Sequence, residues 1–168
     1  ISTRCVVEYD GLFFWPGTDR FFVHNGLVRE MSNNTNLDYF FDNVDLDYRQ
    51  KIFVIKQPLF GEIWWFYPEK MNAKGRDQSI PEGENTRAII YNIRENSWYD
   101  TAISREAGTF CDELGIFMTY GRPLVKTQNP DADKDRFWIH EKGTVQEIQY
   151  LNGGGNKQPP ILSNIPSY

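Results

Sequence analysis

The sequence contains few residues of the types that build disulfide, metal or catalytic centres. It has two cysteines, Cys5 and Cys111, and two histidines, His24 and His140. Two cysteines are too few for a disulfide framework or a cysteine-only zinc site, so we expect both to be small core or strand residues. No Gly-x-Ser-x-Gly elbow or comparable nucleophile signature occurs. The sequence therefore predicts a protein that is not an enzyme and has no catalytic, cofactor-binding or metal-binding residues.

Basic charge and long apolar runs are also lacking. The formal net charge is -5, whereas proteins that bind nucleic acid non-specifically rely on an excess of lysine and arginine. Direct recognition of a DNA sequence is therefore not expected. No apolar stretch approaches the ~20 residues that a membrane-spanning helix needs, and the first residues do not resemble a secretory signal. We accordingly expect no membrane partner.

Aromatic residues are abundant, at 15% of the chain, and the 168 residues suffice for one domain with a substantial core. Short apolar runs recur from end to end between clusters of Gly, Pro, Asn and Asp, a pattern typical of many short antiparallel strands. The only candidate helices are short, at residues 45–50 and 102–107, and turns would explain them equally well. Residues 31–36 and 152–168 are rich in turn-forming residues, and we assign them to connections.

Three segments of the chain repeat one pattern. Residues 19–26, 86–92 and 135–143 each contain a polar residue, an arginine, a four-residue strand that ends in His or Tyr, and a polar turn. Each follows an aromatic strand, at residues 12–15, 62–67 and 116–120. The recurrence predicts three antiparallel hairpins that pair each aromatic strand with the arginine-led strand after it.

A repeated hairpin with an outer strand on either side is the unit of a propeller blade. We therefore predict an all-β, antiparallel fold with β-propeller-like blades over residues 1–151, and a Gly/Pro-rich connection to a further blade over residues 152–168. The spacing of the repeats is irregular, and a β-sandwich is the alternative. Three copies are too few to close a propeller, so we expect the open ends to be covered by the remainder of a longer polypeptide, by a neighbouring subunit in a ring, or by a second copy of the chain.

The repeat also assigns roles to its polar and aromatic residues. We expect His24 and His140 to be structural, because both lie at equivalent strand ends. The row Arg20, Arg87 and Arg136 could bind phosphates, but structural bonds to backbone or carboxylates are favoured.

Four consecutive aromatic residues, Trp64 to Tyr67, raise the possibility of a sugar-binding platform. Because side chains alternate along a strand, Trp64 and Phe66 should pack one sheet interface, and Trp65 and Tyr67 the other. Core packing between blades is therefore favoured over binding.

One acidic loop could bind a metal ion. Asp131, Asp133 and Asp135 supply hard oxygen ligands on a short segment. However, Arg136 stands where a calcium loop needs a glycine, and Lys142 where it needs a bidentate glutamate. We therefore interpret the segment as a solvated hairpin tip, with calcium binding as the alternative.

Several blocks of the sequence resemble bacteriophage virion proteins. The match lies in GEIWWFYP at residues 61–68, RAIIYN at 87–92 and NSWY at 96–99, with flanks FWPGTDRFFVHNG at 14–26 and IHEKGT at 139–144. The families most similar are the tail nozzle (tail tubular protein B) of short-tailed phages and the packaged-DNA stabilisation protein. Those proteins are several times longer, and the resemblance leaves three alternatives for this chain: a fragment, a cleavage product, or the resolved part of a larger protein.

The resemblance implies a structural function. It implies a β-propeller architecture and assembly into a homo-oligomeric ring, usually a hexamer, below the portal and adaptor and near the tail-fibre proteins. The ring would hold packaged DNA in the virion and let it pass at infection without sequence-specific contact, after synthesis of the protein in the host cytoplasm. The alternative function is a carbohydrate-binding propeller or tail-fibre lectin in host recognition.

Overall fold

The computed structural model describes residues 2–32, 35–122 and 135–140. Within these ranges the chain forms three antiparallel sheets, one α-helix and one 3-10 helix. In each sheet, strands adjacent in sequence are also adjacent in space. The structure is therefore all-β and antiparallel, as predicted, with three sheets in the described residues where a sandwich would have two.

The first sheet contains four strands in chain order: β1 (Val7–Tyr9), β2 (Leu12–Pro16), β3 (Phe21–His24) and β4 (Val28–Glu30). Asp10 and Gly11 connect β1 to β2, with φ angles of 50° and 76°. Positive φ at both central residues is typical of the type I′ turn, which connects the strands of two-residue hairpins because its twist matches theirs. Asp-Gly is a preferred sequence for this turn.

The second sheet also has four strands in chain order: β5 (Phe53–Gln57), β6 (Glu62–Pro68), β7 (Asn85–Asn92) and β8 (Ser97–Ala102). The third sheet contains three strands within the described residues: β9 (Ala107–Cys111), β10 (Ile116–Gly121) and β11 (Arg136–His140), with β10 in the centre. The predicted hairpins correspond to β2–β3, β6–β7 and β10–β11, and all three are confirmed.

The three sheets meet at their first strands. In this arrangement β1 of the first sheet lies beside β5 of the second sheet, and β5 lies beside β9 of the third sheet. The amide of Val54 on β5 donates a hydrogen bond to the carbonyl of Arg4, and Gly108 on β9 lets that strand approach Ile55, because a Cβ there would lie 2.5 Å from Ile55 Cδ1. Sheets that radiate from adjoining first strands have the geometry of successive propeller blades.

Two hydrophobic cores fill the space between the sheets. The first lies between the first and second sheets and includes Phe14, Phe21, Trp65 and Tyr67. The second lies between the second and third sheets and includes Phe66 and, at its edge, Trp64. The second sheet is therefore buried on both faces. The predicted alternation, Trp65 and Tyr67 on one face and Trp64 and Phe66 on the other, is confirmed.

The α-helix, α1 (Thr35–Asn43), fills the wedge between the first and second sheets. Its Phe40 is fully buried and packs 5.3 Å from the Phe21 ring and 4.6 Å from the Tyr67 ring, centroid to centroid. This helix was not predicted from the sequence, and its first residues were assigned to a connection. Its nine residues make only about two and a half turns, which is too short a stretch to show a clear helical pattern of apolar residues. Its apolar residues contact the sheets rather than another helix.

Other local predictions had mixed outcomes. The short helix at residues 45–50 is confirmed as a 3-10 helix over Leu46–Lys51, where Asp45 accepts a hydrogen bond from the amide of Asp47. The helical alternative at residues 102–107 is wrong, because β8 ends at Ala102, β9 begins at Ala107, and a four-residue connection joins them. Cys5 is buried in the first core, and Cys111 lies on β9. The proposed connection at residues 152–168 lies outside the described residues.

Candidate assembly surface

Four positions recur on the central hairpin of each sheet. In the register of the strands, Phe13 faces His24 and Trp15 faces Phe22 in the first sheet. The equivalent residues of the second sheet are Ile63, Tyr91, Trp65 and Ile89, and those of the third sheet are Phe117, His140, Thr119 and Trp138. Because residues i and i+2 of a strand share a face, each quartet lies on one side of its sheet. We call this side the leading face and the opposite side the trailing face.

The leading face of the second sheet packs against the first sheet. Trp65 has no exposed surface and lies edge-on to Phe21 of β3, with ring centroids 4.9 Å apart. Tyr91 lies 6.0 Å from Phe14 of β2 by the same measure. Both partners, Phe14 and Phe21, belong to the trailing face of the first sheet. The contact is thus leading face on trailing face.

The leading face of the third sheet is turned toward the second sheet in the same way. The rings of Phe117 and His140 lie 5.4 and 6.3 Å from that of Trp64, which is on the trailing face of the second sheet. Trp138 packs under the guanidinium of Arg105, at 4.5 Å from ring centroid to Cζ, and Arg105 belongs to the connection from β8 to β9. At both contacts between sheets, the leading face of one sheet therefore packs against the trailing face of the sheet before it.

Among the residues that the structure describes, no sheet covers the leading face of the first sheet. Phe13 is 44% exposed, and Val28 of β4, which pairs with His24 on the same face, is 60% exposed. Trp15 and Phe22 stack on each other, with centroids 5.8 Å apart, and both stay partly accessible. This surface has the residues of a sheet interface without the partner sheet, and it is our candidate functional site.

Arg20 and Arg87 of the repeat pair with carboxylates, as expected for a structural role. Arg20 is exposed and lies 2.5 Å from Glu30 and 3.6 Å from Asp19, in N–O distance. Arg87 lies at the equivalent repeat position but is mostly buried. Its Nε donates to Glu69 Oε1 at 3.0 Å and its Nη1 to Asp100 Oδ2 at 2.5 Å. Arg136 begins β11.

The Arg87 site is a buried polar network that ties α1 to the second sheet. Glu69 is 1% exposed and accepts hydrogen bonds from Thr86 at 2.7 Å and from Tyr39 of α1 at 2.9 Å. The guanidinium of Arg87 lies 4.9 Å from the centroid of the Tyr39 ring. Burial alone would lower the pKa of Arg87, but Glu69 and Asp100 outweigh it and raise that pKa above its ordinary value. The charges thus satisfy one another, as a structural network requires.

His140 and Arg105 form a second polar cluster, between the second and third sheets. Arg105 Nε donates to Thr119 Oγ1 at 2.8 Å, and Thr119 Oγ1 lies 2.7 Å from His140 Nε2. Since the Thr119 hydroxyl accepts from Arg105, its own proton is available to Nε2 of a neutral imidazole. Burial lowers the pKa of Arg105 to about 10. Burial, assisted by the positive charge of Arg105, lowers the pKa of His140 to about 4.

These shifts predict a contribution of His140 to acid denaturation. An unfolded histidine titrates near pH ~6.5, so between about pH 6.5 and 4 the unfolded chain binds a proton that the folded chain does not. Stability is therefore lost as the pH falls through this window. We expect His140→Phe to reduce that loss by up to about 2 kcal/mol, as measured by urea unfolding at several pH values.

The comparison must be between variant and parent at each pH, because Glu106 acts in the opposite direction. Its burial raises its pKa, so protonation of Glu106 favours the folded state as the pH falls. Parallel pH profiles for the parent and His140→Phe would contradict the assignment.

The candidate calcium loop is only partly described. Asp131 and Asp133 lie outside the described residues, and Asp135 is 3.1 Å from Arg122 Nε and 3.4 Å from the Tyr120 hydroxyl. In the part of the chain that the structure describes, no group of three or more His, Cys, Asp or Glu side chains is placed to hold a metal ion. The same residues contain no helix long and apolar enough to cross a membrane.

A scan against models of protein families finds no match to this chain, and no curated protein matches it. The hairpins were predictable from the sequence through the repeat. Both buried polar networks were missed, because Glu69, Asp100 and Arg105 lie outside the repeated motif. The sequence did contain a signal for the leading face, because Trp15 and Trp65 stand at matching positions in their hairpins.

Proposed function

We propose that this chain is a non-catalytic structural component of a phage tail, in the nozzle or tail hub, that helps to form the DNA exit conduit and to retain packaged DNA. One observation carries the proposal: a fold built from one repeated sheet leaves the leading face of the first sheet partly exposed. Exposed apolar faces of this kind serve to join protein surfaces. The location in the phage tail is taken from the sequence resemblance to tail nozzle proteins.

The proposed partners follow from that place. Copies of the protein would form a ring, with six copies as in the proteins it resembles, between the portal and adaptor on one side and the tail fibres on the other. The net charge of -5 supports a conduit that DNA passes through without adhering, since like charges repel. The protein would be made in the host cytoplasm and reside in the virion, with no membrane partner and no cofactor.

A conditional null mutant of the phage that encodes the protein tests this function. We expect heads that package DNA and then lose it, so that purified particles contain nuclease-sensitive or no DNA. Wild-type protein supplied in trans should restore nuclease-resistant DNA and infectivity. Null particles that retain their DNA and infect normally would contradict the proposal.

A carbohydrate-binding function is the second candidate. The observation that favours it is the stacked, partly accessible pair Trp15 and Phe22, because aromatic faces bind sugars. A glycan array separates the two functions. Specific glycan binding that is lost in Trp15→Ala and kept in Leu59→Ala, a change at another exposed apolar residue, would favour a lectin. The structural proposal predicts no glycan binding by either variant or by the parent.

A further inference from the structure

The trailing face of the third sheet is the counterpart of the exposed leading face. It carries Met118 and Tyr120 of β10 opposite Ile139 and Phe137 of β11. The equivalent positions of the second sheet are Trp64, Phe66, Ile90 and Ala88, which pack against the third sheet. Phe137 is 75% exposed, and its ring contacts that of Tyr120 at 5.1 Å between centroids. The described residues thus display both halves of the contact that joins the sheets of this chain.

We propose that the leading face of the first sheet binds the trailing face of the third sheet of a second copy of this chain. The contact repeats the two junctions inside the chain: Phe13, Trp15, Phe22 and His24 take the places that Ile63, Trp65, Ile89 and Tyr91 have at the first junction. Because two different surfaces meet, the association is head-to-tail, and it continues into a ring or an open chain according to the rotation at each contact.

The composition of the two faces fits this occupant better than a small ligand. The leading face is a sheet surface with apolar side chains on three adjacent strands, from Phe13 on β2 to Val28 on β4. Its charged members lie at the edges, where Glu8 pairs with Lys56 and Glu30 with Arg20. An apolar centre with paired charges at the rim is the usual anatomy of a protein interface.

The inference deepens the proposed function by naming the surfaces that join copies, and only the closed ring rests on that function. The packing of leading face on trailing face is itself independent of any place in a virion. Failure of the two ideas can therefore be distinguished: DNA retention by phage particles tests the function, and self-association of the purified chain tests the contact.

Sedimentation velocity of the purified chain and two blocking variants tests the contact. Phe13→Lys places a charge on the leading face and Phe137→Lys on the trailing face, and both residues are exposed enough for the variants to fold. We expect the parent to associate with increasing concentration, and each variant alone to associate roughly tenfold or more weakly, because a lysine would have to be buried without a partner.

The decisive arm is a mixture of the two variants. Phe13→Lys keeps its trailing face and Phe137→Lys keeps its leading face, so a head-to-tail contact forms once between them and cannot propagate. We expect a 1:1 dimer in the mixture. The control Leu59→Lys, at an exposed turn residue away from both faces, should associate like the parent. Thermal melts equal to that of the parent show that the variants are folded.

Four results would overturn the inference. A parent that stays monomeric at every concentration shows that the faces do not bind each other. Self-association of Phe137→Lys at the parental strength means that leading faces pair with each other or that another surface is used. A mixture that stays monomeric, or equal loss of association in Leu59→Lys, places the contact elsewhere.

Discussion

Replacing Trp65 with alanine will destabilise the folded chain by about 3 to 5 kcal/mol. Trp65 has no exposed surface and contacts Phe21 and Trp98, at centroid distances of 4.9 and 6.0 Å. Its indole nitrogen also donates a hydrogen bond to the carbonyl of Cys5 at 2.9 Å. Alanine would leave a large cavity between the first two sheets and remove the donor from a buried carbonyl. The free energy of unfolding in urea measures the loss.

The repeat provides the matched control for this prediction. Trp15 occupies the equivalent position in the first sheet, but its leading face lacks a covering sheet. We expect Trp15→Ala to cost about 1 to 2 kcal/mol in the monomer, since only part of the side chain leaves contact with protein. Equal losses at the two positions would contradict the view that the same face is covered in one sheet and open in the other.

Replacing Arg87 with methionine will cost about 3 to 5 kcal/mol, because it leaves Glu69 buried without its cation. Glu69 is 1% exposed, and Asp100 would at the same time lose its charged partner and keep the hydrogen bond from Asn36 Nδ2 at 2.7 Å. A second change, Glu69→Gln, in the Arg87→Met background should recover part of the loss, since it removes the uncompensated charge. Chemical denaturation of the four members of this double-mutant cycle gives the interaction energy.

Arg20 is the control for Arg87, because it has the same place in the repeat. Its ion pairs with Glu30 and Asp19 are more than half exposed, and exposed pairs contribute between 0 and about 1 kcal/mol. Arg20→Met should therefore be nearly neutral. A loss as large as that of Arg87→Met would mean that position in the repeat, rather than burial, determines the contribution of these arginines.

Strand positions could be predicted from the sequence because the signals for them are local. The aromatic runs at β2, β6 and β10 and the arginine-led runs after them have the composition and length of strands, and turn residues bound them. Alternation along β6 then predicted that Trp64 and Trp65 face different cores. Pairing followed from the order of the segments, since each arginine-led run is the next strand after its aromatic partner.

The features that were missed depend on contacts between distant parts of the chain. The helix α1 is stabilised by Phe40 against Phe21 and Tyr67, residues that lie far apart in sequence, and tertiary packing of this kind overrides weak local preference. Glu69 and Asp100 become partners of Arg87 only after β6, β7 and β8 pair. The exposure of the leading face also required the fold, because Trp15 and Trp65 are the same residue at the same repeat position.

The central claim is that the leading face of the first sheet is covered by another sheet when the native protein assembles. Hydroxyl-radical footprinting of the assembled and dissociated protein tests it most directly, with buried Trp65 and exposed Phe60 as internal references. The account predicts that labelling of Phe13 and Trp15 falls toward the level of Trp65 on assembly while that of Phe60 does not change. Labelling of Phe13 and Trp15 that is the same in both states would contradict it.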